Sequence, residues 1–138
     1  MPSPPATILL VDDEAPLRDM MRATLEKCGY FVLDATSYDD AVRTYKKHRH
    51  AIQLLITDIS LPGNNGYELA GQISQWQPNI KVIFTSGKAG MELCRFYYMP
   101  EGDPRLLKKP FGMSELVQRV AAALSSGGAK SCQATGLP

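Results

Sequence analysis

Short, unbroken apolar runs constrain this chain most. Ile8-Leu9-Leu10-Val11, Leu54-Leu55-Ile56 and Val82-Ile83-Phe84 show no alternation with polar residues. A strand built from such a run has to be covered on both faces, which is the condition of a parallel sheet between two layers of helix. Each run is also far too short to cross a membrane. The stretches between the runs carry apolar residues at helical spacing. Ala15 to Cys28 is expected to form a helix with Leu17, Met20, Met21, Thr24, Leu25 and Cys28 on one face. Asp13 or Glu14 can cap it, Pro16 suits its first turn and Gly29 can end it.

The same reading extends along the chain. Phe31-Val32-Leu33 is expected as a second strand and Ser37 to about His48 as a second helix. Leu54 to Thr57 forms a third strand ending at Asp58, and Pro62-Gly63-Asn64-Asn65-Gly66 is a dense turn signal. Tyr67 to Trp76 follows as a helix with Leu69, Ile73 and Trp76 inward. Lys81 to Phe84 and Leu106-Leu107 supply two further strands, and Met113 to Leu124 a last helix with Leu116, Val117, Val120 and Leu124 on one side. Lys88 to Asp103 keeps no clean period, so a short or distorted fourth helix is expected there. Strands alternating with helices imply an α/β fold with a parallel sheet and right-handed crossovers. The expected organisation is an N-terminal extension over 1–5, one globular domain over 6–124 and a flexible tail rich in Ser, Gly and Ala over 125–138.

Composition narrows the function. A chain of 138 residues with 44% hydrophobic and 21% charged residues can build one domain with a real core. A net charge of +1 is too balanced for an electrostatic nucleic-acid binder. The opening Met-Pro-Ser-Pro-Pro lacks the pattern of a secretory signal, so a cytoplasmic protein is expected. Cys28, Cys94 and Cys132 are widely spaced and odd in number, which argues against a disulfide framework, and Cys28 is expected to be a small buried residue. His48 and His50, in Lys-Lys-His-Arg-His, read as a solvated helix end rather than a metal site.

The polar residues at strand ends carry the chemistry. Asp12 and Asp13 follow the first strand, Asp58 ends the third, Ser86 follows the fourth and Lys109 the fifth. In an open parallel sheet the carboxyl ends of the strands share one edge, where such folds bind ligands. Carboxylates crowded there repel one another unless a cation sits among them, and an oxygen-only donor set suits Mg²⁺. A lysine and a hydroxyl beside that ion are what a transferring phosphoryl group needs. Asp58, the deepest acid, is then the natural nucleophile for an acyl phosphate. Each residue also has a plainer reading: Asp12 and Asp13 as a helix cap, Ser86-Gly87 as turn chemistry, Lys109-Pro110 as a strand end.

Taken in order, these pieces resemble the response-regulator receiver domains of two-component signalling. Ile-Leu-Leu-Val-Asp12-Asp13-Glu14 is similar to that family's acidic opening, and Leu-Ile-Thr-Asp58-Ile-Ser-Leu-Pro62-Gly-Asn-Asn-Gly66 to its phosphoacceptor segment. Phe-Thr-Ser86-Gly87 and Lys109-Pro110-Phe111 match its hydroxyl and lysine motifs. The resemblance spans about Ala6 to Leu124. It implies a flavodoxin-like (βα)5 fold with strand order 2-1-3-4-5, and a cis peptide at Lys109-Pro110. It further implies that Asp58 takes a phosphoryl group from a phosphohistidine on a kinase or phosphotransfer protein. Asp13, Asp58 and the Ser60 carbonyl would ligate Mg²⁺, with Asp12 acting through water. Lys109 and Ser86 would contact phosphoryl oxygens. Output would run through the face of the fourth helix, fifth strand and fifth helix, by protein contacts rather than nucleic acid or membrane, and a homodimer is possible.

Two departures stand out. Where the family usually has a switching aromatic three residues before the lysine, this chain has Leu106, and Phe96, Tyr97 and Tyr98 are the rings available to replace it. The Arg105-x-Leu-x-Lys109-Pro-Phe ending resembles receivers attached to hybrid kinases. A phosphate sink or a receiver from a hybrid histidine kinase is therefore the alternative reading. A flavodoxin-type flavin carrier is a more distant one, because Asp-Asp-Glu after the first strand would repel a phosphate.

Overall fold

The computed structural model describes residues 5–100 and 102–125. The expected extension over 1–5 and tail over 125–138 lie outside the described residues, apart from Pro5 and Ser125. Five strands, β1 (Thr7–Val11), β2 (Phe31–Ala35), β3 (Ile52–Asp58), β4 (Lys81–Ser86) and β5 (Leu106–Lys108), form one parallel sheet in the order β2-β1-β3-β4-β5. They alternate with α1 (Ala15–Lys27), α2 (Tyr38–His48), α3 (Gly66–Trp76), α4 (Lys88–Phe96) and α5 (Met113–Ser125). This is the flavodoxin-like arrangement expected from the sequence.

The central runs are buried on both sides, as unbroken apolar strands must be. Leu9, Val11, Leu55 and Phe84 face a core closed by α2, α3 and α4, with Tyr45, Leu69 and Ile73 among its contributors. Ile8, Leu10, Leu54, Ile56, Ile83 and Leu107 face the other way, onto Met21 and Leu25 of α1 and Leu116 and Val120 of α5. The alternation of these two sets along each strand decides which side of the sheet every later residue faces.

Helix ends follow local chemistry. Ser37 and Asn65 cap α2 and α3, their side-chain oxygens accepting from Asp40 N (3.2 Å) and Glu68 N (2.9 Å). Gly29, at φ 97°, turns the chain out of α1 as expected. The irregular segment does yield a short helix, the nine residues of α4, followed by Tyr98 at φ 58°.

Several side chains correct the expectations. Cys28 is exposed at the end of α1 rather than buried, because the helix buries only a narrow stripe through Met21 and Leu25. Met20, one step around the helix from Met21, is 55% exposed for the same reason. The α1 N-cap is Glu14, with no side-chain capping bond from Glu14 itself. Trp76 is only partly buried, stacked on Tyr45 at 5.6 Å, and it ends α3, whose first residue Gly66 is the one that abuts Asp58. No helix among the described residues is long and apolar enough to cross a membrane.

Candidate phosphoacceptor site

The carboxyl ends of the strands bring the candidate residues together. Asp58 is the last residue of β3 and 6% exposed; Asp12, directly after β1, is 1% exposed. Their backbone is fixed from both sides. Asp12 N donates to Ala35 O (3.1 Å) and Ile59 N to Thr85 O (2.9 Å), while Gly66 N donates to Ile59 O (2.7 Å). Gly66 has to be glycine here, since a Cβ would lie 2.3 Å from the Asp58 carbonyl oxygen. The turn signal after Asp58 thus lets α3 start directly against the acceptor strand.

Lys109 organises the acids. Its Nζ lies 2.7 Å from Glu14 Oε1, 3.0 Å from Asp58 Oδ2 and 3.2 Å from Asp12 Oδ2. The Lys109-Pro110 peptide is cis, as the resemblance implies. Asp58 Oδ1 accepts from Ser60 N (3.2 Å), and Asp12 Oδ1 from Glu14 N (2.8 Å). Burial pushes the carboxyls of Asp12 and Asp58 above the usual carboxylate range, with Lys109 offsetting part of the effect. Burial alone would lower Lys109, but its bonds to Glu14 and Asp58 outweigh that and hold it above the ordinary lysine value. One ammonium therefore serves three carboxylates.

Asp12, Glu14 and Asp58 each offer an oxygen, all within 4.8 Å of one another. Asp12 Oδ2 is buried with no hydrogen-bond partner among the described residues, and it forms a 3.2 Å ion pair with Lys109. An oxygen-only cluster with excess negative charge and an unsatisfied buried lone pair fits a small hard cation. Asp13 is exposed and outside this group, while Glu14, expected as a helix cap and as part of the acidic opening but not as a ligand, is inside it. Its involvement has a sequence signal, the third acid in Asp-Asp-Glu, but the Asx turn of Asp12 onto Glu14 N has to form before that side chain faces the lysine.

Ser86 is buried and turned toward α4. Its Oγ donates to Gly87 O (3.1 Å) and approaches Met91 Sδ (3.8 Å). A Cβ on Gly90 would come within 2.5 Å of that oxygen, so the glycine is what lets α4 lie against it. The rings beyond α4 join a chain. Phe96 meets Tyr97 edge-on at 5.0 Å, Tyr97 meets Tyr67 at 4.5 Å, and Tyr67 meets Phe84 at 4.7 Å. Tyr97 OH donates to Glu68 Oε2 (2.7 Å), tying the end of α4 to the start of α3. Leu106 is already buried.

A family profile described as "Response regulator receiver domain" matches residues 8–121. The chain belongs to the response regulator receiver family. The receiver is 33% identical to the response regulator receiver protein CpdR of Brucella abortus over 118 residues, covering 85% of this chain and 95% of that protein. It is 35% identical to the phosphate regulon transcriptional regulatory protein PhoB of Pseudomonas aeruginosa, covering 88% of this chain but 53% of PhoB. The receiver thus spans nearly all of one relative and about half of the other. Among solved structures, a response regulator receiver protein from Sinorhizobium medicae superposes with a TM-score of 0.76 at 30% identity, covering 88% of this chain and 96% of that one. Receivers are signalling modules of two-component systems, and the acidic residues of such a site stand together in this one.

Proposed function

We propose that this receiver accepts a phosphoryl group on Asp58 from a phosphohistidine, assisted by Mg²⁺, and signals through protein contacts. The observation that carries the reading is the convergence of Asp12, Asp58 and Lys109 within 3.2 Å contacts at one sheet edge. In the transfer, Asp58 Oδ2 forms a bond to phosphorus as the P–N bond breaks, and the electron pair leaves on the imidazole nitrogen, which takes up a proton. Lys109, already on Oδ2, follows the developing charge onto the phosphoryl oxygens. Ser86 reaches those oxygens by leaving its contacts with Gly87 and Met91. Ser60 N holds Oδ1, which keeps the other carboxylate oxygen aimed at the incoming group.

Asp13, Asp58 and the Ser60 carbonyl are the direct ligands proposed for Mg²⁺, with Asp12 through water and Glu14 close enough to share its charge. Bound there, the ion would neutralise charge on the acids and on the phosphoryl oxygens. Partners in this reading are a histidine kinase or phosphotransfer protein, and a downstream protein on the α4-β5-α5 face. The work is cytoplasmic, and the only reaction catalysed is gain and loss of the protein's own phosphoryl group. Phosphotransfer profiling tests this: histidine-phosphorylated kinases of the source organism should pass label to the wild type and not to Asp58→Asn. Label reaching both equally would overturn it.

A further inference from the structure

One crosswise row of the sheet runs through the acceptor. Val11 is level with Thr57, so Asp12 stands level with Asp58; Asp58 in turn pairs with Thr85, and Thr85 with Leu107. Side chains alternate along each strand, so Thr85 faces the same side as Ile83, and Asp58 the same side as Ile56, both toward α1 and α5. Thr85 is thus the in-register neighbour of Asp58 on the same face of the adjoining strand.

The hydroxyl of Thr85 is out of place there. The residue is 1% exposed, and its Oγ1 has no hydrogen-bond partner among the described residues. Buried hydroxyls are nearly always paired, because an unpaired one loses its water without compensation. A β-branched side chain suits a buried strand, but valine would serve that purpose at no polar cost. The position of Lys109 supplies a reason for the oxygen. β4 lies between β3 and β5, so the lysine stem has to cross the end of β4 to reach Asp58. A Cβ on Gly87 would lie 3.9 Å from Lys109 Cδ, which marks that path. Thr85 stands in the strand being crossed, one residue before Ser86.

We propose that Thr85 is a hydrogen-bond donor held for the phosphorylated form of Asp58. The inference rests on Asp58 being the phosphoacceptor. In the structure described, Lys109 and Ser60 N occupy the two Asp58 oxygens. Once Oδ2 is bonded to phosphorus it is a poor acceptor, and the ammonium is drawn to the charged phosphoryl oxygens. The Thr85 hydroxyl then has a strong acceptor within the reach of an adjacent strand. An unpaired donor before phosphorylation and a paired one after it shift the balance toward the phosphorylated state.

The test uses the full chain and its Thr85→Val and Thr85→Ser variants. Binding of beryllium trifluoride with Mg²⁺ is measured by calorimetry, and melting is followed without it. Thr85→Val should weaken beryllofluoride binding about tenfold, the worth of one buried hydrogen bond to a charged acceptor. Thr85→Ser should stay within about twofold of wild type, since it keeps the donor. Unliganded Thr85→Val should melt at or above the wild type, up to about 3 °C higher, because the unpaired oxygen is gone. Equal binding by wild type and Thr85→Val would overturn the inference, as would an equal loss in Thr85→Ser or a lower melting temperature in Thr85→Val. If the wild type labels on Asp58 while Thr85→Val is indistinguishable from it, this inference alone fails. If the wild type neither binds beryllofluoride nor labels, the phosphoacceptor reading fails and takes this one with it.

Discussion

Replacing Asp58 with asparagine should make the unliganded protein more stable, although the residue sits at the centre of the site. Asp58 is 6% exposed and shares one ammonium with Asp12 and Glu14. Burial and the neighbouring Asp12 raise its pKa despite Lys109, so ionisation of this carboxyl costs the folded state more than the unfolded one. Asparagine keeps an oxygen for Ser60 N and leaves Lys109 with two carboxylates. Removing one buried charge from an over-subscribed cluster should gain about 1–2 kcal/mol, or roughly 3–6 °C in melting temperature. The pH dependence has a fixed sign. The folded carboxyl binds its proton more tightly than the unfolded one, so wild-type stability falls as pH rises from about 3.9 through the raised folded pKa. The advantage of Asp58→Asn is full above that window and gone below about pH 3.9, where both states of the wild type are protonated. Urea melts at pH 8 and pH 3.5 without divalent ions would show this. Adding Mg²⁺ at 100 times its dissociation constant should stabilise the wild type by about 2.7 kcal/mol and the variant far less. A variant less stable than wild type at pH 8, or an equal advantage at both pH values, would refute the electrostatic account.

Other substitutions test separate parts of the site. Gly66→Ala places a Cβ 2.3 Å from the Asp58 carbonyl oxygen, so it should cost about 2 kcal/mol or more in urea unfolding. Gly90→Ala should evict Ser86 Oγ from its place against α4, where a Cβ would lie 2.5 Å away, and shift the Ser86 and Met91 amide resonances before any phosphoryl mimic is added. Lys109→Ala should bind Mg²⁺ as well as wild type or better, because it removes a nearby positive charge, whereas Asp13→Ala should bind it more weakly. Calorimetric titration separates the two, and equal losses would refute the roles assigned.

Much of this was legible in the sequence because its strongest signals are local. Buried parallel strands need unbroken apolar runs, and Ile8 to Val11, Leu54 to Ile56 and Val82 to Phe84 give three of the five. β3 is longer than its run because Gln53 interrupts the pattern; its side chain is exposed and accepts from Thr7 N (3.1 Å) at the start of the sheet. The strand-end rule then brings Asp12, Asp58 and Lys109 together without any knowledge of packing. What escaped depends on contacts between elements. The exposure of Cys28 and Met20 follows from how narrow a stripe of α1 meets α5 and the sheet. The close approaches of Gly66 and Gly90 appear only once α3 and α4 are docked. The unpaired hydroxyl of Thr85 depends on strand register, which spacing along the chain does not state. The chain of rings from Phe96 to Phe84 joins residues from α3, α4 and β4, and no period in any one of them announces it.

The most direct measurement is the intact mass of the protein after incubation with acetyl phosphate and Mg²⁺. The account predicts the gain of one phosphoryl group, lost in Asp58→Asn and lost when the metal is chelated. A gain of the same mass in Asp58→Asn would place the phosphoryl group elsewhere and contradict it.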